Sequence, residues 1–149
     1  MIAISPRPAG YDWNTVSFPS TLYLIPILDL LLSKVPTRWQ AEVRLGLQEA
    51  LVNAAKHGNK LDPGKKILIQ FSMVADQYWW IISDQGAGFE APECETDDVE
   101  QHLPAHEGEC GRGLYILYQV FDHVQWNSRG TELRLCKHVR NSSRLPLVI

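Results

Sequence analysis

The hydrophobic period of this chain changes from helical to alternating across one turn signal, and that switch limits the folds open to it. Before Asp62-Pro63-Gly64, the residues Val43, Leu47, Ala50, Leu51 and Ala54 recur at helical spacing. After it, Ile67, Ile69, Phe71 and Met73 alternate along one face of a strand. Thr37-Arg38-Trp39-Gln40 fits a capping box at the start of the helix, with Thr37 at the N-cap and Gln40 at N3; His57-Gly58-Asn59 stops it. An amphipathic helix feeding directly into an alternating strand asks helix and sheet to share one core.

The flanking segments extend the pattern. Tyr11 to Phe18 reads as a first strand, and Ser20 or Thr21 caps a helix over Leu22 to Val35 that Pro26 delays or bends. Ala75-Asp76 turns into a strand from Tyr78 to Ser83. Gly111-Arg112-Gly113 opens a further helix with Leu114, Leu117, Tyr118, Phe121 and Val124 inward. A last hairpin runs from Val124 to Asn127, through Ser128-Arg129-Gly130, into Thr131 to His138. The layout predicts an α/β (α+β) two-layer sandwich, with helices on one face of a mixed, mostly antiparallel sheet. It is one domain over residues 1–149, with a core over about 18–138 and a tail at 139–149.

Composition excludes several classes. A chain of 149 residues that is 45% hydrophobic can enclose a core and is not largely disordered. The longest apolar stretch, Leu22 to Leu32, contains Pro26 and Asp29 and falls far short of the roughly 20 residues a bilayer needs. No secretory signal pattern is visible, and three cysteines (Cys94, Cys110, Cys136) suit a reducing cytoplasm better than a disulfide framework. A zinc site from Cys94, Cys110, His102 and His106 is set aside because the spacings match no zinc pattern. The formal charge of −3 hides an asymmetry: residues 90–110 hold eight of the 17 acids and no Lys or Arg. The remainder carries nine acids against 14 bases and is mildly basic.

Three boxes carry chemistry. Glu49 and Asn53 stand four apart on the marked helix, on one face, and His57 extends the row. Asp84-Gln85-Gly86-Ala87-Gly88 places a carboxylate at a strand end, with glycines that let a ligand approach the backbone. Gly111-Arg112-Gly113-Leu114 opens a helix, where free N–H groups and the dipole suit phosphate. Each box alone has an ordinary structural reading: a polar helix edge, a Gly-rich turn, a helix start. P-loop and dinucleotide-fingerprint spacings are both absent.

Together and in this order, the three resemble the N, G1 and G2 boxes of the histidine-kinase-like ATPase superfamily, the Bergerat fold. The resemblance covers roughly Phe18 to His138 and implies ATP and Mg²⁺ as ligands. It implies that Asn53 coordinates Mg²⁺ and that Asp84 accepts a hydrogen bond from the adenine amino group. Gly86 and Gly88 would let the nucleotide lie against the backbone, with Thr131 near the adenine. N–H groups around Gly111, Gly113 and Leu114 would receive phosphate. Lys56 falls where sensor kinases often carry a phosphate-contacting lysine, or it is a solvated helix lysine; His57 closes the box. Arg112 could reach the terminal phosphate or serve the surface. Residues 90–110 would form the ATP lid, with acids that face solvent or contact a basic surface on a protein partner.

Glu49 separates members of the superfamily. Sensor histidine kinases usually carry Asn there, whereas the resembled serine kinases and ATP hydrolases carry Glu. A serine hydroxyl or a water must lose a proton as it attacks, so a carboxylate base helps, while a neutral imidazole already presents a lone pair. No dimerisation helix pair with a phosphoacceptor His fits before Leu22, and no transducer domain is visible. A bare domain with this box looks like the bacterial anti-sigma factor serine/threonine kinases of partner-switching systems. The resemblance implies a catalytic Glu49, an anti-anti-sigma-type protein substrate, and a sigma factor or other effector as second partner. The resembled families often act as dimers, though nothing in the sequence marks a dimer face. Two alternatives stay open: a nucleotide-dependent sequestering module, and an ATP hydrolase or histidine phosphodonor of the same superfamily. Direct nucleic-acid binding is not expected, because Trp13, Trp39, Trp79, Trp80 and Trp126 sit beside apolar runs. Trp79 and Trp80, adjacent on a strand, must face opposite sides, so one points away from the helices.

Overall fold

Two prolines decide where the first helices begin. In the computed structural model, residues 10, 12–74, 76–88 and 112–139 are described. Residues 1–9, Tyr11, Ala75, residues 89–111 with the acidic segment, Cys94 and Cys110, and the tail from residue 140 lie outside them. Strand β1 covers Asn14–Pro19, later than the expected start at Tyr11. Helix α1, Ile25–Leu32, begins late, with Pro26 in its first turn, where a missing N–H costs no helical bond. Neither Ser20 nor Thr21 caps it. Leu24 holds the N-cap position without a side-chain bond, and the Thr21 hydroxyl accepts from the Tyr23 N–H at 3.0 Å.

Helix α2, Thr37–Val52, corrects a second expectation. The N-cap is Pro36, with ψ 142°, so Thr37 is already helical and no side-chain cap forms. The Gln40 amide reaches back to the Val35 carbonyl at 2.9 Å. The extended proline supplies the start one residue early, and the capping box never closes.

Beyond Val52 the helix widens into a π-helical segment, Asn53–Gly58, in which the Asn59 N–H donates to the Ala54 carbonyl at 2.8 Å. The chain then reverses through Lys60 and Leu61 at φ 55° and 57°, a left-handed pair disfavoured for side chains with a Cβ. The Leu61 N–H to Ala55 carbonyl bond of 2.8 Å holds this reversal.

Strands β2 (Lys66–Val74) and β3 (Gln77–Ser83) form the expected hairpin, turning at Asp76 with φ 67°. Helix α3 (Arg112–Val120) leads into β4 (His123–Trp126) and β5 (Glu132–His138). The sheet order is β1-β2-β3-β5-β4, and every described pairing is antiparallel. The three α-helices and the sheet make the two-layer α+β sandwich. Among the described residues no helix is long and apolar enough to cross a membrane.

Packing explains which predicted faces are buried. Ile67 and Ile69 are fully buried, but Met73, toward the turn of the hairpin, is 41% exposed, so the inward face of β2 is covered only along its first part. Trp80 enters the core edge-on to Phe121, with ring centroids 5.7 Å apart. Trp79 takes the opposite sheet face, half-buried, against His123. Helices α2 and α3 meet at Gly46, where an added Cβ would stand 2.6 Å from the Phe121 ring. A buried ion pair adds to this junction: Lys137 Nζ donates to Glu42 Oε1 at 2.7 Å and to the Val120 carbonyl at 2.8 Å, beneath the Trp39 ring.

Candidate functional site

The end of α2, the π-helical segment, the loop after β3 and the start of α3 converge on one cavity of about 600 Å³. That volume suits a small-molecule ligand. Glu49 and Asn53 stand one turn apart on the helical wall, both half-buried. Gly113, on the first turn of α3, faces them: an added Cβ there would lie 2.9 Å from Glu49 Oε2 and 3.8 Å from the Asn53 amide. The missing side chain lets α3 bring its first turn against a carboxylate and an amide. Lys56 and His57, both exposed, line the cavity from the π-helical segment.

Asp84 marks the other end. Its N–H donates to the Thr131 carbonyl at 2.9 Å, and its Oδ1 accepts from the Gly86 N–H at 2.9 Å. Burial pushes the Asp84 carboxyl above its usual range, against the opposing pull of the Gly86 hydrogen bond and of Lys65. Gly58 packs directly on this carboxylate, where a Cβ would have no room, with Asp84 Oδ1 only 2.9 Å from it. A Cβ on Gly86 would collide with the Gly58 backbone. Gly88 takes φ 86° against the Arg129 carbonyl, a left-handed turn that favours glycine. Asn127 Oδ1 accepts from the Thr131 N–H at 2.9 Å and so fixes Thr131 at the cavity edge.

Of the residues singled out from sequence, Glu49, Asn53, Lys56, His57, Asp84, Gly88, Gly113, Leu114 and Thr131 line this one cavity. Gly86 supports it from behind, through its contacts with Gly58 and Asp84. Gly111 and the Arg112 side chain lie outside the described residues. The continuous row expected through His57 is interrupted, because the helix changes its winding after Val52.

Sequence reasoning missed several contributors. Ile82, Leu133 and Trp126 form an apolar wall near Asp84, and Lys60 joins the rim. Trp126 was recoverable: it pairs in register with Leu133, and strand alternation puts both on the helix-facing side. Buried Asn59, just past the first box, stands behind the cavity and bonds to the loop after Asp84.

Chemically, the cavity is asymmetric. The Asp84 end offers a half-buried acceptor beside apolar side chains, which suits a flat ring carrying a hydrogen-bond donor. The Glu49–Asn53–Gly113 end offers oxygen donors beside a helix N-terminus, which suits an anion together with a hard cation. Cys136, the one cysteine among the described residues, is buried, its thiol pushed up to about 12 mainly by burial and secondarily by Asp122.

Residues 31–137 match the family described as a histidine kinase-like ATPase domain. A serine-protein kinase RsbW of Bacillus subtilis (strain 168) is 25% identical over 139 residues, covering 86% of each chain. A second protein of that name, from Oceanobacillus iheyensis, is 23% identical over 141 residues, covering 88% of this chain and 89% of the relative. With that match spanning well over half of its length, the chain belongs to the histidine kinase-like ATPase domain family.

Proposed function

We propose that the protein is an ATP-dependent protein serine/threonine kinase of the anti-sigma type, acting in a partner-switching system. The supporting observation is the placement of Glu49 and Asn53 a turn apart, opposite Gly113, in a cavity whose far end holds Asp84. Two relatives named as serine-protein kinases support the same class. The adenine amino group donates to Asp84, with the base between the apolar wall and the backbone of Gly86 and Gly88, near Thr131. The phosphates run toward the N–H groups around Gly113 and Leu114, with Lys56 and His57 lining that end. For Gly111 and Arg112, which lie outside the described lining, a phosphate-binding role rests on the family resemblance.

Asn53 is the protein ligand of Mg²⁺. Among the described residues no group of three or more His, Cys, Asp or Glu could cage a metal. A single amide oxygen beside the phosphate end suits an ion held chiefly by phosphate oxygens and water. When bound, that ion neutralises charge on the phosphates.

Glu49 takes the proton of a serine hydroxyl on the partner as its oxygen bonds to the γ-phosphorus and the bond to the ADP oxygen breaks. The substrate is a small anti-anti-sigma-type protein in the cytoplasm, and a sigma factor or other effector is the alternative partner.

The test uses ATP labelled on its γ-phosphate with candidate partner proteins. Label on a partner serine is expected. In Glu49→Gln, transfer should fall about 100-fold or more, the scale of a lost general base, with ATP affinity little changed. Unchanged transfer in that variant refutes Glu49 as the base. Nucleotide-dependent partner binding without label points to a sequestering module. Phosphate release without a partner, or acid-labile label on histidine, points to a hydrolase or phosphodonor.

A further inference from the structure

We propose that Asn59, which lies outside the cavity lining, is the positioning residue that holds Asp84 and thereby sets base selectivity. This rests on Asp84 reading the adenine in the function proposed above.

Asn59 is fully buried, and its side chain bonds to three separate segments. Its Oδ1 accepts from the N–H of Gln85, the residue after Asp84, at 2.8 Å. Its Nδ2 donates to Ser20 Oγ at 2.8 Å and to the Lys66 carbonyl at 3.0 Å. A backbone N–H can only donate and a carbonyl can only accept, so these partners leave one orientation for the amide. Ser20 in turn donates to the Lys65 carbonyl at 2.8 Å. The backbone of Asn59 is itself anchored by its N–H bond to Ala54. One side chain thus ties the end of the π-helical segment to the ends of β1, β2 and β3.

The backbone of Asp84 is held to the Thr131 carbonyl, and Gly86 and Gly88 pack on the backbone of Gly58 and Arg129. Among the described residues, however, few side chains tether this loop. Gly86 and Gly88 offer no side chains, and beyond the Gly86-to-Asp84 bond the remaining side-chain tether is the Lys66 N–H to Gln85 Oε1 bond at 2.7 Å. Asp84 must fit against Gly58, the residue directly before Asn59. Fixing Gln85 to Asn59 therefore sets the Asp84 carboxylate against the segment that carries Asn53. Releasing it would let the carboxylate leave the plane of the base, while Glu49 on α2, Gly113 on α3 and Asn53, whose place at the start of the π-helical segment is set by the end of α2, stay where they are.

ATP and GTP share ribose and phosphates and differ in the base, so their affinity ratio isolates this effect. Titration calorimetry with Mg·ATP and Mg·GTP is performed on the wild type, Asn59→Ala and Gln85→Ala. The wild type should prefer ATP, because GTP presents a carbonyl where ATP presents an amino group. Asn59→Ala should lose about tenfold in ATP affinity, with GTP changed less than about threefold, as expected for a displaced hydrogen-bond acceptor. Gln85→Ala, at an exposed position, removes the Lys66 N–H bond but keeps the backbone N–H that Asn59 holds. With Asn59 as the main tether, it should shift the ratio by less than Asn59→Ala does. If Asn59→Ala fails to fold, Asn59→Ser, which removes the amide acceptor for the Gln85 N–H with a smaller loss of volume and keeps a polar group, decides by the same ratio. An unchanged ratio, including equal losses for both nucleotides, overturns the positioning role. A wild type without preference for ATP overturns the Asp84 reading itself, a separate failure visible before any variant is made.

Discussion

Replacing Gly46 by Ala sets two effects of known sign against each other. In a helix interior, Ala is favoured over Gly by about 1 kcal/mol. At this position, however, the new Cβ would stand 2.6 Å from Phe121 Cε2, 3.0 Å from its Cζ and 3.1 Å from Val120 Cγ1. Carbon atoms prefer separations near 3.5–4.0 Å, so the ring would have to retreat by roughly 1 Å. It has little space to do so, because Phe121 is 4% exposed and its ring meets Trp80 edge-on. Overpacking of this kind costs about 1–3 kcal/mol, and the tightness of the contact places it near the upper end. The net loss should be about 2 kcal/mol, or roughly 4–8 °C in the unfolding midpoint for a chain of this size. Urea and thermal unfolding measure it. Phe121→Leu supplies the control: in that background the ring clash is gone and only the 3.1 Å contact with Val120 remains, so Gly46→Ala should cost much less than in the wild type. A Gly46→Ala protein as stable as the wild type, or an equal cost in both backgrounds, would refute the close helix contact as the reason for this glycine.

Lys137→Met should cost about 3–5 kcal/mol in urea unfolding, because it strips a buried carboxylate, Glu42, of its ammonium partner; both side chains are 1% exposed. Changing Glu42 to Leu as well should recover much of that loss, and a double variant no more stable than the single one would contradict it. Asp84→Asn should bind ATP weakly yet unfold at a higher temperature at neutral pH. Burial raises the Asp84 pKa, so the native state holds this proton more tightly than the unfolded chain, and the carboxylate costs stability above its raised pKa. That cost is relieved as pH falls toward the raised pKa, whereas ATP affinity, which needs the ionised acceptor, should fall over the same range. Binding and unfolding followed from pH 8 down to about pH 5 check both signs, and a D84N protein less stable than the wild type at pH 7 would count against the desolvation argument.

Local spacing made much of the site legible. Glu49 and Asn53 are four residues apart, and helical geometry alone puts them on one face. Asp84 follows an alternating strand directly, so its place at a strand end was visible, as was the entry of glycines into a helix at Gly113. The Trp79/Trp80 split likewise follows from the two-residue period of a strand, and Trp80 is the one that enters the core. The capping box at Thr37 misled, because the motif is also satisfied by a chain in which Pro36 starts the helix first.

What the sequence by itself determined is whatever depends on neighbours a few residues apart: helix and strand periods, the order of three boxes, and the residue types that could handle a nucleotide. Tertiary structure alone decided the contacts across long separations. Lys137 meets Glu42 across 95 residues, and Asn59 meets Gln85 across 26. Neither pairing leaves a periodic trace, because a buried polar group is selected by the partner that folding brings to it, not by its neighbours in the chain. The widened turn over Asn53–Gly58 belongs with these, since the Gly58–Asp84 contact and the Asn59 bonds form only once helix and sheet have packed together.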